Sequence, residues 1–390
     1  MTLDRRLTVL GGLAGLGGCA VKPVAPPRSG LAIEDIPPKL APIRAHADRL
    51  FDITVCLRPF RAQGPRLETE MLGDTLMVHN YGHGGSGWSL SWGSGTIAVQ
   101  KAMAASPKEI AVIGCGALGL TSAILAQRAG ASVTIYCKDL IQRARSARAS
   151  GSWTPDSRIA LREPAGPQFA VLWEEMARTS WKTYRSLLGL PGNVVQWADR
   201  YNLSDITPEE ARAQSEAQNT MGFAEYESRI ADLMPRSMEM PPGSTPFPVK
   251  HVRRTANLQF NIASYSHMLL NDFRIAGGKI EMREFHAPSE FTQLKEKVVI
   301  NCTGYGARAL WKDESIVPVR GQIGWLIPQP EVTYGLGYHG VSVVSRTDGI
   351  VVQAVDGGDL RGYKDSNEAP IRAESERAVG LLEELYSRMS

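Results

Sequence analysis

The sequence predicts an α/β fold built on a Rossmann-type dinucleotide-binding unit, with enough chain left for a second domain. Three observations carry this reading. Gly114-Cys115-Gly116-Ala117-Leu118-Gly119 has the glycine spacing of a dinucleotide fingerprint. It sits between a short apolar run, Glu109–Ile113, and a helical stretch from Leu120 to Ala129, which is the strand–turn–helix context the motif needs. The chain has 390 residues, 43% apolar and 21% charged, enough for two modest cores.

Each part of the unit has a physical reason. Gly114 permits the tight turn, Gly116 lets a pyrophosphate approach the backbone, and Gly119 lets the helix lie close on the strand. The helix N-terminus, with Ala117 and Leu118 in its first turn, offers unpaired N–H groups to phosphate. Gly130 stops the helix, and Ala131–Tyr136 reads as the second strand. Asp139, twenty residues after Gly119, can accept hydrogen bonds from ribose hydroxyls. Lys138 beside it either neutralises a phosphate or is solvated. This stretch alone does not distinguish FAD from NAD.

Lys and Arg total 43 against 40 Asp and Glu, for a net charge of +3, and the charges are interspersed. That balance argues against a nucleic-acid partner. Cys56, Cys115, Cys137 and Cys302 show no metal-ligand spacing, so neither a metal site nor a disulfide framework is expected. At the N-terminus Arg5-Arg6 precede a Gly-rich apolar run, followed by Leu16-Gly17-Gly18-Cys19. This order resembles a bacterial lipoprotein export signal of the twin-arginine type, with Cys19 acylated. It implies an exported, cell-envelope protein held to the membrane only by a lipid anchor, with residues 1–19 as signal and 20–48 as tether. The alternative is an unprocessed N-terminus.

A second glycine-rich segment lies upstream of the fingerprint: Met77-Val78-His79-Asn80-Tyr81-Gly82-His83-Gly84-Gly85-Ser86-Gly87, then Gly93. It resembles the flavin-ring signature of the D-amino-acid oxidase family, with Gly95 where that family usually has Ala. Further stretches resemble the same family: Ser150–Pro155, Val299–Gly304, Pro318–Gln322 and Cys56–Arg61. In the family the fingerprint opens the chain and the His-Asn-Tyr-Gly segment lies near its end. The reversed order here implies a circular permutation, made possible if a helix over Thr96–Ala104 feeds directly into the strand at Glu109.

The resemblance implies an FAD cofactor. Gly84, Gly85, Ser86, Gly87, Trp88 and Ser89 would form a loop against the flavin, with Gly151, Ser152, Ser146 and Phe285 as further contacts. Its N–H groups would stabilise charge at the reduced ring. His83 reads as a structural hydrogen-bonding residue and Trp92 as core. The resemblance also implies that Arg58 clamps a substrate carboxylate through its two-pronged guanidinium, with Tyr338 as partner and Ser342 departing from the family's second tyrosine. Arg61 and Arg66 read as structural or exposed.

The implied fold is a discontinuous FAD-binding domain (67–156 and 258–317) plus a sheet-rich α+β substrate domain (49–66, 157–257 and 318–390). A strand over Arg49–Leu57 and a helix over Ala373–Met389 belong to the latter. The implied reaction is oxidative deamination of a D-amino acid by hydride transfer to flavin N5, giving a 2-oxo acid, ammonia and hydrogen peroxide. Dioxygen or a membrane electron carrier would accept the electrons. Other readings are the same chemistry on another amine or amino acid, an NAD-linked reductase, and a flavin-binding lipoprotein without turnover. Oligomeric state and substrate side chain leave no mark in the sequence.

Overall fold

A computed structural model describes residues 39–389. Cys19, the paired arginines and the tether up to residue 38 lie outside the described residues. Fourteen strands are present among them. They are β1 (Leu50–Arg61), β2 (Thr69–Leu72), β3 (Thr75–His79), β4 (Glu109–Ile113), β5 (Ser132–Cys137), β6 (Val195–Ser204) and β7 (Met238–Glu239). The rest are β8 (His251–Phe260), β9 (Lys279–Met282), β10 (Val298–Asn301), β11 (Ile316–Leu326), β12 (Tyr334–Tyr338), β13 (Val341–Arg346) and β14 (Gly349–Ala354). The helices are α1 (Gly87–Met103), α2 (Ala117–Arg128), α3 (Arg162–Ser186), α4 (Pro208–Gln218), α5 (Ile262–Ile275), α6 (Ala307–Leu310) and α7 (Arg372–Ser387).

Two sheets organise these elements. The first has the order β2-β3-β10-β4-β5-β9, and β3, β10, β4, β5 and β9 run parallel. Its central strands are continuous apolar runs because both faces are covered, as a doubly wound sheet requires. All six strands come from residues 67–156 and 258–317. The second sheet has the order β1-β11-β14-β13-β12-β6-β8-β7 and is mostly antiparallel. Its strands alternate. Leu326, Ile350, Val352, Val343 and Leu336 meet Val379, Leu382 and Leu385 of α7 in one core; the other side carries Arg58, Ile323, Gln353 and Ser342.

Three sequence expectations are corrected. The helix before β4 starts at Gly87, not Thr96. Its low-propensity Gly and Ser residues are contact points: a Cβ at Gly93 would lie 2.2 Å from the Met176 carbonyl oxygen of α3, and one at Gly95 3.0 Å from Leu125 of α2. Close packing overrides propensity here. Residues 41–46, read as tether, instead pack on the second sheet. Ile43 and Ala45 are buried, Arg44 N–H donates to Gln329 Oε1 at 2.8 Å, and Tyr334 Oη–H donates to the Ala41 carbonyl at 2.8 Å. Finally, Tyr338 and the Ser342 position, expected together on the substrate side, lie on opposite arms of a hairpin turning at His339-Gly340, both at positive φ.

Candidate active site

The parallel strands deliver the site. The segments leaving the carboxyl ends of β3, β4, β5 and β10 all line one cavity of about 420 Å³. This is where open α/β sheets place their ligands. Gly114, Gly116, Ala117 and Leu118 come from the first turn after β4, Lys138 and Asp139 from the end of β5, and Thr303–Tyr305 from the turn after β10. His83, Gly84, Gly85, Gly87, Trp88 and Ser89 follow β3, and Ser146, Gly151 and Ser152 come from the irregular segment after β5. The second sheet closes the far end with Cys56, Arg58, Gly321 and Ile323.

The glycines are where close approach demands them. Gly114 has φ +105°, and a Cβ there would lie 2.6 Å from the Cys302 carbonyl. Gly119 does not line the cavity. A Cβ on it would sit 1.9 Å from the Gly114 carbonyl, so it seats α2 under the turn. Gly87 has open space beside it, at the N-terminus of α1. His79 and Asn80 hold the chain just before the loop: Nε2 and Nδ1 of His79 engage Glu70 and Asn301, and Asn80 Nδ2–H donates to Ser122 Oγ. Ser146 Oγ accepts from Ala117 N–H, Trp88 Nε1–H donates to the Ser146 carbonyl, and Ser89 Oγ accepts from Thr154 N–H.

His83 departs from the structural role expected of it. It is 1% exposed, lines the cavity, and neither ring nitrogen has a hydrogen-bond partner. Burial drives its pKa down to about 3, so the ring is neutral at physiological pH. A neutral imidazole keeps one donor and one acceptor nitrogen, and in His83 both are left unpartnered.

Three residues expected at the site are elsewhere. Tyr338 points into the core beneath α7, where its hydroxyl accepts from Arg388 Nη2 at 2.9 Å. Pleat alternation places it on the face away from the cavity. Phe285 packs on Phe291 with ring centroids 4.7 Å apart, on the opposite face of the first sheet. Ser86 is buried just outside the cavity, its hydroxyl donating to the Ser157 carbonyl. Sequence reasoning missed Arg145, Arg148, Phe260 and Glu368, which do line it. No motif marks them, because they arrive on irregular segments and from the second sheet.

A family model described as DAO: FAD dependent oxidoreductase matches residues 109–389. The chain belongs to the DAO family. The D-amino-acid oxidase of Rubrobacter xylanophilus is 31% identical over 213 residues, covering 54% of this chain and 57% of that protein. The D-amino-acid oxidase of Streptomyces coelicolor is 27% identical over 219 residues, 55% and 58% of the two chains. This chain therefore aligns with little more than half the length of the curated relatives it matches. Among solved structures, glycine oxidase from Bacillus cereus is similar at 13% identity and a TM-score of 0.49, over 72% of this chain and 77% of that one.

FAD is the DAO-family cofactor, and the residues present suit it. Five basic side chains line the cavity (Arg58, Lys138, Arg143, Arg145, Arg148) against two acidic ones (Asp139, Glu368), a balance that favours a pyrophosphate. Gly114–Leu118 would hold that pyrophosphate, Asp139 the ribose, and the His83–Ser89 segment the flavin ring. His83 also lines this cavity, with both ring nitrogens enclosed and unpartnered.

Arg58 stands at the other end. Its guanidinium lies across Gly321, 2.3 Å from where a Cβ would be, so β11 is glycine at the one point the arginine crosses. Burial lowers its pKa, and Cys56 and Asp359 partly offset this; an arginine nonetheless stays charged. Among the described residues no carboxylate lies within ion-pair distance of it, because Asp359 is taken by Arg158 at 3.0 Å. By contrast Arg320 is paired with Glu374 at 3.0 Å, and Arg61 lies 3.7 Å from Asp313.

Proposed function

We propose that this DAO-family chain is an FAD-dependent oxidase of D-amino acids. The single observation that carries this is Arg58: a half-buried guanidinium on the cavity wall that lacks a carboxylate partner among the described residues. A cation left in that state is stabilised by an anion brought from outside, and the fork fits a carboxylate. Bound FAD supplies the two-electron acceptor. Arg58 fixes the substrate carboxylate, so that the α-carbon is held in one orientation toward the ring, and positioning supplies much of the rate. The α-hydrogen leaves with its bonding pair from a neutral amine, the imino acid hydrolyses to a 2-oxo acid and ammonia, and dioxygen takes up the electron pair as hydrogen peroxide. A general base is not required. His83, held neutral with a pKa of about 3, is too weak a base to take a proton from an ammonium group but well suited to a hydrogen bond.

The test is a peroxide-release screen over D- and L-amino acids, repeated with Arg58→Ala. Loss of one partner of a desolvated charge pair costs about 2–5 kcal/mol, so kcat/KM on D-amino acids falls correspondingly. Turnover confined to L-amino acids, or kinetics unmoved by Arg58→Ala, would overturn the reading. Stopped-flow reoxidation by dioxygen separates an oxidase from a dehydrogenase that passes electrons to a membrane carrier.

Two further readings belong to this proposal. We infer a circular permutation, supported by the family match that begins at Glu109 while the His79–Gly87 segment lies upstream of it. We also propose export by the twin-arginine route with acylation at Cys19, supported by Arg5-Arg6 and Leu16–Cys19. Metabolic labelling with a clickable fatty acid, present in the wild type and lost in Cys19→Ser, tests it.

A further inference from the structure

On the face of the second sheet that carries Arg58, a second arginine lacks an acid. Arg200 of β6 is half-buried and lies across β12, where Gly335 and Gly337 leave room for it. A Cβ at Gly337 would come within 3.1 Å of Arg200 Nη2 and 2.6 Å of Asn202 Oδ1. Its Nε–H donates to Asn202 Oδ1 at 3.1 Å, Nη1 to the Val343 carbonyl at 3.3 Å, and Nη2 to Ser342 Oγ at 3.1 Å. All three acceptors are neutral. Of the five N–H donors of a guanidinium, two remain, and among the described residues no carboxylate is within ion-pair distance of it. Burial without a compensating charge pulls its pKa down to about 10.

Register puts the two arginines on one face. Gly337 opposes both Asn202 and Ser342, Ser342 opposes Gln353, and by alternation Gln353 shares the side of Trp325, Thr54 and Arg58. Gln353, Gly321 and Arg58 also line a second cavity of about 280 Å³. The Arg58 guanidinium lies over β11, and the Arg200 guanidinium reaches β13, two strands away in the sheet order. At about 4.8 Å per strand across and about 3.4 Å per residue along the strand, the level of Gly321 falling opposite Gly340 rather than Ser342, the separation is roughly 12 Å. A four- or five-carbon dicarboxylate, at about 1.5 Å per C–C bond, with a hydrogen bond of about 2.9 Å at each end, spans that gap. One carboxylate shared by both arginines does not. The other arginines around the second cavity are already paired, Arg158 with Asp359, Arg320 with Glu374 and Arg361 with Asp356.

We propose that the substrate is an acidic amino acid, with Arg58 on the α-carboxylate and Arg200 on the side-chain carboxylate. This rests on the amino-acid oxidase reading above. It makes Arg200 a specificity-determining residue, and it gives Ser342 a purpose, since its hydroxyl accepts a hydrogen bond from that guanidinium.

The test uses the FAD-loaded protein and two readouts. Titration with succinate and with butyrate, followed by the change in flavin absorbance, measures dicarboxylate preference without turnover. Steady-state kcat/KM on acidic and on neutral D-amino acids measures it with turnover. The expected result is preference for succinate and for acidic substrates, falling by roughly two orders of magnitude in Arg200→Met and partly restored in Arg200→Lys, with rates on neutral substrates little changed. Equal losses on neutral and acidic substrates, or wild-type protein that binds butyrate as well as succinate, would overturn it; the latter needs no variant to fold. A silent amino-acid screen with succinate preference intact would sink the oxidase reading and spare the anion site.

Discussion

His83 and Arg58 show how single side chains at this site are defined by what they lack. His83 is enclosed with both nitrogens open, and its neutrality follows from desolvation alone. Its folded pKa of about 3 lies below the unfolded value of 6.5. The stability tied to the neutral ring is therefore present above pH 6.5 and is lost as pH falls toward 3. His83→Gln should remove that part of the acid sensitivity. Urea denaturation at pH 7 and pH 4.5 measures it: the wild type loses more stability between the two than the variant does. At this scale only part of the site is legible in the sequence. Arg58 was readable because Cys56–Arg61 resembles a known segment, whereas Arg200 carries no motif and Tyr338 was misplaced. A one-residue parity in a hairpin decides which face a side chain occupies, and parity is not visible until the turn is located.

At the scale of elements, the central helix α1 carries the flavin segment into the core. It touches α2 and α3 through glycines, so its buried residues include Ser91, Gly93, Ser94 and Gly95. Gly93→Ala would press a methyl against the backbone of Met176, and overpacking of this kind costs about 1–3 kcal/mol. The expected outcome is a lower melting temperature together with weaker FAD retention, read by thermal unfolding and by flavin released on gel filtration. Gly380→Ala on α7, with nothing within 4 Å of the added methyl, is the matched control that leaves both unchanged. Sequence periodicity found α7 and the β4–α2–β5 unit because their apolar spacing is regular. It misread the start of α1 because residues 87–95, all Gly, Ser or Trp apart from Leu90, have no helical pattern, and their helicity comes from packing.

For the molecule as a whole, the two sheets meet at one cavity. Residues 104–108 alone join α1 to β4. The circular permutation proposed above makes this link dispensable once the protein is folded. A protease site inserted after Ser106, at positive φ on the surface turn, should allow complete cleavage while FAD stays bound and the two fragments co-elute. Cleavage that releases the flavin would count against the permutation. The β4–α2–β5 part of the first sheet was legible from the fingerprint and its flanking pattern, and the discontinuous remainder only from the resemblance of segments such as Val299–Gly304 to the family. The packing of residues 41–46 on the second sheet was not, since two isolated apolar residues between prolines and charges carry no periodic signal.

The central claim is that the His83–Ser89 segment and the Gly114–Gly119 turn together hold FAD at one cavity. The most direct measurement is the visible absorbance of the purified protein before and after reconstitution with FAD and removal of free cofactor. The account predicts a yellow protein with the two flavin bands, one FAD per chain, and loss of both when Gly119→Val drives a side chain into the Gly114 carbonyl. A folded, colourless protein that takes up no FAD would contradict it.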